Sequence, residues 1–278
     1  GAGRVPLAKL NYFGEAALDQ LSGAAAIVTV GAKPPVSFFA YPDRPSRLVP
    51  EGCALIDLAG PASDVDQAID GLMSGLKIAR GVVPPSPQAV RVVPDRPTGP
   101  LDAEKCWRVL ARLAPEGMIL SEEAATSSLG LDLHMQGAAP FDHLQLTGGS
   151  IGQSLPVALG AAVAAPDRKT VCATGDGGAM YTAQALWTMA REKLDVVIVV
   201  FANRSYAILN IELMRVGAHN PGSEVLDMLD IGRPDLNFVQ LANAMGVEAA
   251  AAETAERFET LLLAALSQKG PFLIEAVL

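Results

Sequence analysis

The chain is poor in the residues that build disulfide frameworks, thiolate metal centres and nucleic-acid surfaces. Its 278 residues include three cysteines and three histidines. Cys53, Cys106 and Cys172 are far apart, odd in number and without CxxC spacing, which argues against a disulfide framework and against a zinc site. Cys172 lies in an apolar run and reads as a small core filler. Long basic runs are missing and the net charge is −9, so neither nucleic acid nor an anionic membrane is an expected partner. No apolar stretch approaches the ~20 residues needed to span a bilayer. No leader pattern opens the chain, and the reading is a soluble cytoplasmic protein. What the chain has in quantity is hydrophobic residues, 50% against 18% charged, enough for the core of an α/β enzyme in two folded units.

Residues 81–100 divide the chain. They hold six prolines in 20 residues, too many for a helix or a central strand, and read as an extended interdomain linker. Before it, residues 25–30 and 54–58 read as buried parallel strands and 65–78 as a helix. After it, residues 117–121 read as a strand, 151–165 as a helix and 272–277 as a final strand, with further helices over 235–245 and 253–267. This alternation predicts an α/β protein with a doubly wound parallel sheet in the second unit. Two strands and two helices in the first 80 residues leave unpaired sheet edges. The chain also begins Gly1-Ala-Gly-Arg4, so residues before Gly1 are expected.

The chemistry concentrates in one βαβ unit. Residues 169–174 form a short apolar run that ends at Gly175-Asp176-Gly177-Gly178. Residues 195–202 form a longer one that ends at Asn203-Arg204-Ser205-Tyr206, with Asn203 25 positions after Gly178. Between them, Ala183, Leu186, Trp187 and Ala190 fall on one helical stripe. Both clusters therefore belong at the carboxyl edge of a parallel sheet, where adjacent strand ends lie roughly 5 Å apart. A carboxylate, an amide oxygen and backbone N–H groups gathered there suit a Mg²⁺ ion, which takes about six oxygens, holding a diphosphate. Gly177 and Gly178 let the backbone approach a phosphate at a helix start. The cluster is neither GxGxxG nor the start of a GxxxxGK loop, which removes the dinucleotide and P-loop alternatives.

Gly175-Asp-Gly followed by Asn203 resembles the cofactor motif of thiamine diphosphate-dependent enzymes, in particular acetolactate synthase large subunits and benzoylformate decarboxylases. The resemblance extends to the segment from Thr147 to Gly160 and to the ending from Gly270 to Val277. It implies that residues 101–278 are a complete diphosphate-binding domain, that 81–100 are the linker, and that 1–80 are a partial Rossmann-like central domain. It also implies thiamine diphosphate and Mg²⁺ as cofactors and a 2-oxo acid substrate. Carried over residue by residue, Asp176 and Asn203 bind Mg²⁺ by side chain and Ser205 by its carbonyl. Thr126, Ser127, Gly177, Gly178 and Tyr206 reach the diphosphate. Ile151 is the wedge that bends the cofactor, although its spacing alone reads as plain core at a helix start. Gly149 accepts the cofactor's amino group through its carbonyl, and Gln145, Leu209 and Glu212 lie near the substrate. Glu212 reads equally as a solvated helix-face residue.

His134 and His143 lie in a loop-like stretch and match no catalytic histidine of the family. The stretch Phe38-Phe-Ala-Tyr-Pro-Asp43 lacks the histidine that benzoylformate decarboxylases carry there, a departure that tells against benzoylformate-type chemistry. The first function the resemblance implies is an acetolactate synthase-like carboligase. The resemblance further implies a homodimer or homotetramer. In the family, an N-terminal domain of the neighbouring subunit supplies the activating glutamate, and no part of this chain resembles that domain. The chain by itself is expected to be inactive and to bind the cofactor weakly. The other functions in play are a 2-oxo acid decarboxylase, a lyase of 2-hydroxyacyl thioesters, and a non-catalytic interaction module.

Overall fold

The computed structural model describes residues 1–79, 81 and 87–278, so the linker reading over 82–86 lies outside the described residues. The chain forms two compact units, Leu7–Pro87 and a larger one made of Gly1–Pro6 with Gln88–Leu278. The first six residues belong with the larger unit because Ala2 N–H donates to the Ala138 carbonyl at 2.9 Å and Gly3 N–H to that of Ala89 at 2.8 Å.

The smaller unit contains α1 (Gly14–Leu21), β1 (Ala26–Val30), β2 (Ala54–Ala59) and α2 (Val65–Gly75). The two strands pair in parallel, with Val28 opposite Ile56. Asp64 caps α2 by accepting the Gln67 N–H at 2.9 Å. The helix stops three residues before the sequence reading placed its end. Lys77 takes φ 55°, and Ile78 N–H turns back to the Met73 carbonyl, closing the C-terminus.

The larger unit is built on six parallel strands: β3 (Met118–Glu123), β4 (Phe141–Gln145), β5 (Thr170–Gly175), β6 (Val196–Ala202), β7 (Glu248–Ala252) and β8 (Phe272–Val277). Their spatial order is β4-β3-β5-β6-β8-β7. The helices are α3 (Ala103–Leu113), α4 (Leu131–Met135), α5 (Ser154–Ala164), α6 (Asp176–Ala179), α7 (Ala185–Arg191), α8 (Ala207–Arg215), α9 (Ser223–Leu229), α10 (Phe238–Ala244) and α11 (Ala255–Ser267). Two cores sandwich the sheet, as a doubly wound fold requires. Trp107, Leu110, Leu120, Phe201 and Phe258 fill one face, beneath α3, α4 and α11. Leu155, Leu186, Met189, Ile198 and Phe238 fill the other, beneath α5, α7 and α10. Every residue of β6 is buried, which accounts for its unbroken apolar run.

Several sequence readings are corrected by this packing. Helix α5 begins at Ser154 and not at Ile151, which sits in the preceding turn with 42% of its surface exposed. Of the helical stripe of the βαβ unit, Ala183 and Leu186 are buried and Ala190 packs against the core, whereas Trp187 is 54% exposed and lies under the Arg191 guanidinium. His134 and His143 are not in loops, since His134 is on α4 and His143 on β4. Strands β4 and β7 and helix α3 carried no sequence reading. Among the described residues, no helix is long and apolar enough to cross a membrane.

Candidate cofactor site

Strands β3, β5 and β6 are neighbours, so their carboxyl ends deliver three loops to one place. Asp176 follows β5 and is 4% exposed. Its Oδ1 accepts the Gly177 N–H at 2.8 Å and its Oδ2 the Arg204 N–H at 2.6 Å. Burial pushes the Asp176 carboxyl above its usual range, against the pull of these backbone donors. A single aspartate thus ties the end of β5 to the turn after β6.

That turn is itself constrained. Asn203 Oδ1 accepts the Ser205 N–H at 3.0 Å, while Arg204 between them adopts φ 56°, in the left-handed region. Arg204 Nε donates to Asp235 at 2.6 Å. The Leu229 carbonyl accepts the Tyr206 N–H at 2.9 Å and the Ser205 hydroxyl at 3.3 Å, and Ile231 N–H returns to the Arg204 carbonyl. Both ends of the α8–α9 excursion are thereby fastened beside the cleft.

On the other side, Ala125–Ser128 forms a 3₁₀ turn after β3. It is held from behind by Glu122, which accepts the Ala124 N–H at 2.7 Å and the Ser128 hydroxyl. Glu122 also faces His143 Nε2 at 3.7 Å. Burial alone would raise the Glu122 carboxyl, but His143, Ser128 and the Ala124 N–H outweigh it and hold it below its usual range. The Trp107 indole N–H donates to the Ser127 carbonyl, fixing the same turn to the core.

Glycine is needed where the loops meet. A Cβ on Gly177 would come 2.5 Å from Tyr206 Cε1, and one on Gly178 would come 3.0 Å from Glu123 Oε1. At both positions the missing side chain lets a neighbouring residue of the cleft pack directly against the backbone. The substitution G177A is expected to displace the Tyr206 ring and cost about 1–3 kcal/mol of stability. Denaturant unfolding of G177A and of G177A/Y206A checks this: the second substitution should recover part of the loss, and an undiminished G177A would contradict the geometry.

Thr126, Ser127, Ile151, Asp176, Gly177, Gly178, Asn203, Ser205 and Tyr206 line one cleft, with Glu123 and Ile208. Four expected site residues lie outside its lining. Gln145 ends β4, where its carbonyl accepts from Gln153 Nε2 at 3.2 Å, and Gln153 Oε1 accepts the Thr147 hydroxyl at 2.6 Å. The carbonyl of Gly149 takes the Ile151 N–H at 2.9 Å. Leu209 is exposed and Glu212 half-buried on α8. His134 faces Glu104 at 3.7 Å and borders a separate cavity with Val92 and Leu133. Sequence reasoning missed Glu122, Glu123, Trp107 and Arg204. The paired acids Glu122 and Glu123, just before Ala124-Ala125-Thr126, were the one available signal.

Among the described residues there is no group of three or more His, Cys, Asp or Glu that could hold a metal alone. A cation at Asp176 and Asn203 would complete its shell with oxygens from elsewhere. A diphosphate supplies such oxygens, and the hydroxyl residues Thr126 and Ser127 line the same cleft as Asp176 and Asn203, so the donor set fits this pair of groups.

Comparison with known proteins agrees with the geometry. Residues 133–276 match the family described as thiamine pyrophosphate enzyme, C-terminal TPP binding domain. A Mycobacterium tuberculosis protein named as an acetolactate synthase large subunit, IlvX, is 46% identical over 278 residues, covering 100% of this chain and 53% of its own length. Benzoylformate decarboxylase of Pseudomonas aeruginosa is 30% identical over 267 residues, covering 92% and 49%. The solved thiamine diphosphate-dependent 4-hydroxybenzoylformate decarboxylase of Rhodococcus jostii superposes with a TM-score of 0.74 at 25% identity, over 96% of this chain and 51% of that one. The chain spans about half the length of these relatives. With its doubly wound sheet and a cleft at the ends of β3, β5 and β6, this chain belongs to the thiamine diphosphate-dependent enzymes and carries their C-terminal cofactor-binding domain.

Proposed function

We propose that the chain is the diphosphate-binding part of a Mg²⁺-dependent carboligase acting on 2-oxo acids, similar to acetolactate synthase. The observation that carries this reading is the convergence of nine expected cofactor residues on one cleft. Asp176, Asn203 and the Ser205 carbonyl hold Mg²⁺; Thr126, Ser127, Gly177, Gly178 and Tyr206 receive the diphosphate. Ile151, exposed in the turn before α5 and in the cleft lining, supports the organic part of the cofactor. The Gly149 carbonyl takes the cofactor's amino group, and Gln145, Leu209 and Glu212 border the substrate. Thiamine diphosphate supplies the electron sink for loss of carbon dioxide from a 2-oxo acid. The residues of this chain bind, bend and orient it.

The remainder of the protein supplies the activating glutamate from a neighbouring subunit, in a cytoplasmic homodimer or homotetramer. The smaller unit, Leu7–Pro87, acts as part of its central domain. Decarboxylation is the second reading, favoured by the decarboxylases among the relatives. The retained Asp176, Asn203 and Ile151 argue against a non-catalytic module. The test is product analysis of the full-length protein with Mg²⁺ and thiamine diphosphate. Pyruvate should yield a coupled hydroxy-oxo acid. Aldehyde release as the sole outcome would replace carboligation by decarboxylation, and bound cofactor without turnover of any 2-oxo acid would restore the module. The isolated chain should bind the cofactor more weakly than micromolar in calorimetry.

A further inference from the structure

Glu123 is a carboxylate only 2% exposed, and three segments of the cleft meet on it. On β3 it shares a face with Ser121, and the two side chains clasp both backbone groups of Ser154. Glu123 Oε2 accepts the Ser154 N–H at 2.9 Å, and the Ser121 hydroxyl donates to the Ser154 carbonyl at 2.9 Å. Helix α5 has no capping side chain of its own, so this carboxylate serves its first turn from another strand. The other oxygen, Oε1, accepts the hydroxyl of Thr174 at 2.9 Å, near the end of β5. The same oxygen lies 3.0 Å from the Cβ position of Gly178.

Each contact is a short distance along the chain from a cleft residue. Ser154 follows Ile151 by three residues, Thr174 precedes Asp176 by two, and Glu123 precedes Thr126 by three. Both of its oxygens are engaged, Ser154 and Thr174 are themselves buried, and a carboxylate left unpaired in such a place would be costly. The arrangement is therefore stiff, and moving any one segment disturbs the other two.

We propose that Glu123 is a positioning residue that sets the spacing between the Ile151 turn and the Asp176–Gly178 turn. It thereby matches the cleft to a ligand engaging both at once. The inference rests on the cofactor reading above, in which Ile151 supports the organic half of the ligand and Asp176 to Gly178 hold its diphosphate. A ligand that uses only the second turn does not depend on the spacing.

The test compares two probes by calorimetry on the full-length protein, thiamine diphosphate with Mg²⁺ and inorganic diphosphate with Mg²⁺. In E123A the affinity for thiamine diphosphate should fall by about 10-fold or more, the usual scale for removing a group that orients ligand-holding residues. Affinity for inorganic diphosphate should fall less than about 3-fold on the same scale. E123Q should stay within about 3-fold of wild type for both, because its amide oxygen accepts from Ser154 while its NH₂ donates to Thr174. Should E123A fail to fold, T174V removes the second tie while keeping the side-chain shape, and should show the same selective loss at smaller size. Equal losses for the two probes would mean a merely structural role and overturn the inference, as would unchanged binding in E123A. Wild-type protein that takes up neither probe overturns the cofactor reading and this inference with it, whereas wild-type binding with equal losses overturns this inference alone.

Discussion

Replacing Asp176 by alanine in the full-length protein should lower its affinity for Mg²⁺ and thiamine diphosphate by about 100-fold or more, because it removes the one charged oxygen donor among the proposed ligands. A second loss comes with it. The N–H groups of Gly177 and Arg204 both donate to this carboxylate, and removing their acceptor costs about 1–3 kcal/mol for each group left unsatisfied. D176A should therefore unfold earlier than wild type even without ligand. D176N separates the two effects only partly, since its NH₂ must face one of two N–H donors. Calorimetric titration alongside ligand-free denaturation gives both numbers. Undiminished cofactor binding in D176A would remove Asp176 from the metal site.

The largest change in stability is expected at Trp107, which lies behind the cleft and not in its lining. Its ring is buried with its centroid 5.2 Å from that of Phe201, and its indole N–H meets the Ser127 carbonyl. W107A should cost about 3–5 kcal/mol, the usual range for emptying an aromatic core site. W107F keeps most of the packing and loses the hydrogen bond, for about 0.5–1.5 kcal/mol. The two variants diverge in function as well as size. If the indole fixes the Thr126–Ser127 turn, W107F should weaken cofactor binding more than its small stability loss explains. Urea unfolding followed by far-ultraviolet circular dichroism measures the first effect, and calorimetry the second. A W107A protein within 1 kcal/mol of wild type would mean that the site collapses around the gap.

Much of the fold was legible because its central strands are continuous apolar runs ended by glycine or polar residues. Strand β6 is the clearest case, with its seven residues all buried. Strand β7 was not legible. Its sequence, Glu-Ala-Ala-Ala-Ala, favours a helix by intrinsic propensity, and it is a strand because β8 pairs with it from Phe272 to Ala276. Strand β4 is a polar edge strand, Phe-Asp-His-Leu-Gln, with no apolar run to announce it. Helix α3 did leave a signal that went unread, since Asp102 caps it by accepting the Lys105 N–H at 2.8 Å. In helix α7 only Trp187 of the stripe faces solvent. Contacts with α5 decide which side chains are buried, and a stripe that included Trp187 looked equally apolar from the sequence.

The cleft divides in the same way. The place of its proposed anchor, Asp176 with Gly177, Gly178 and Asn203, was readable from the sequence because each residue stands at the end of a recognisable strand. The same holds for membership of the family, which rests on short contiguous motifs. The support behind the anchor belongs to the tertiary structure. Glu123 meets residues 31 and 51 positions away, and Glu122 faces a histidine on a strand that the sequence did not reveal. Directional hydrogen bonds between buried groups specify such a network only after the sheet has fixed the strand order and register. Local pattern therefore determined which residues line the cleft, and packing alone decided what holds those residues in place.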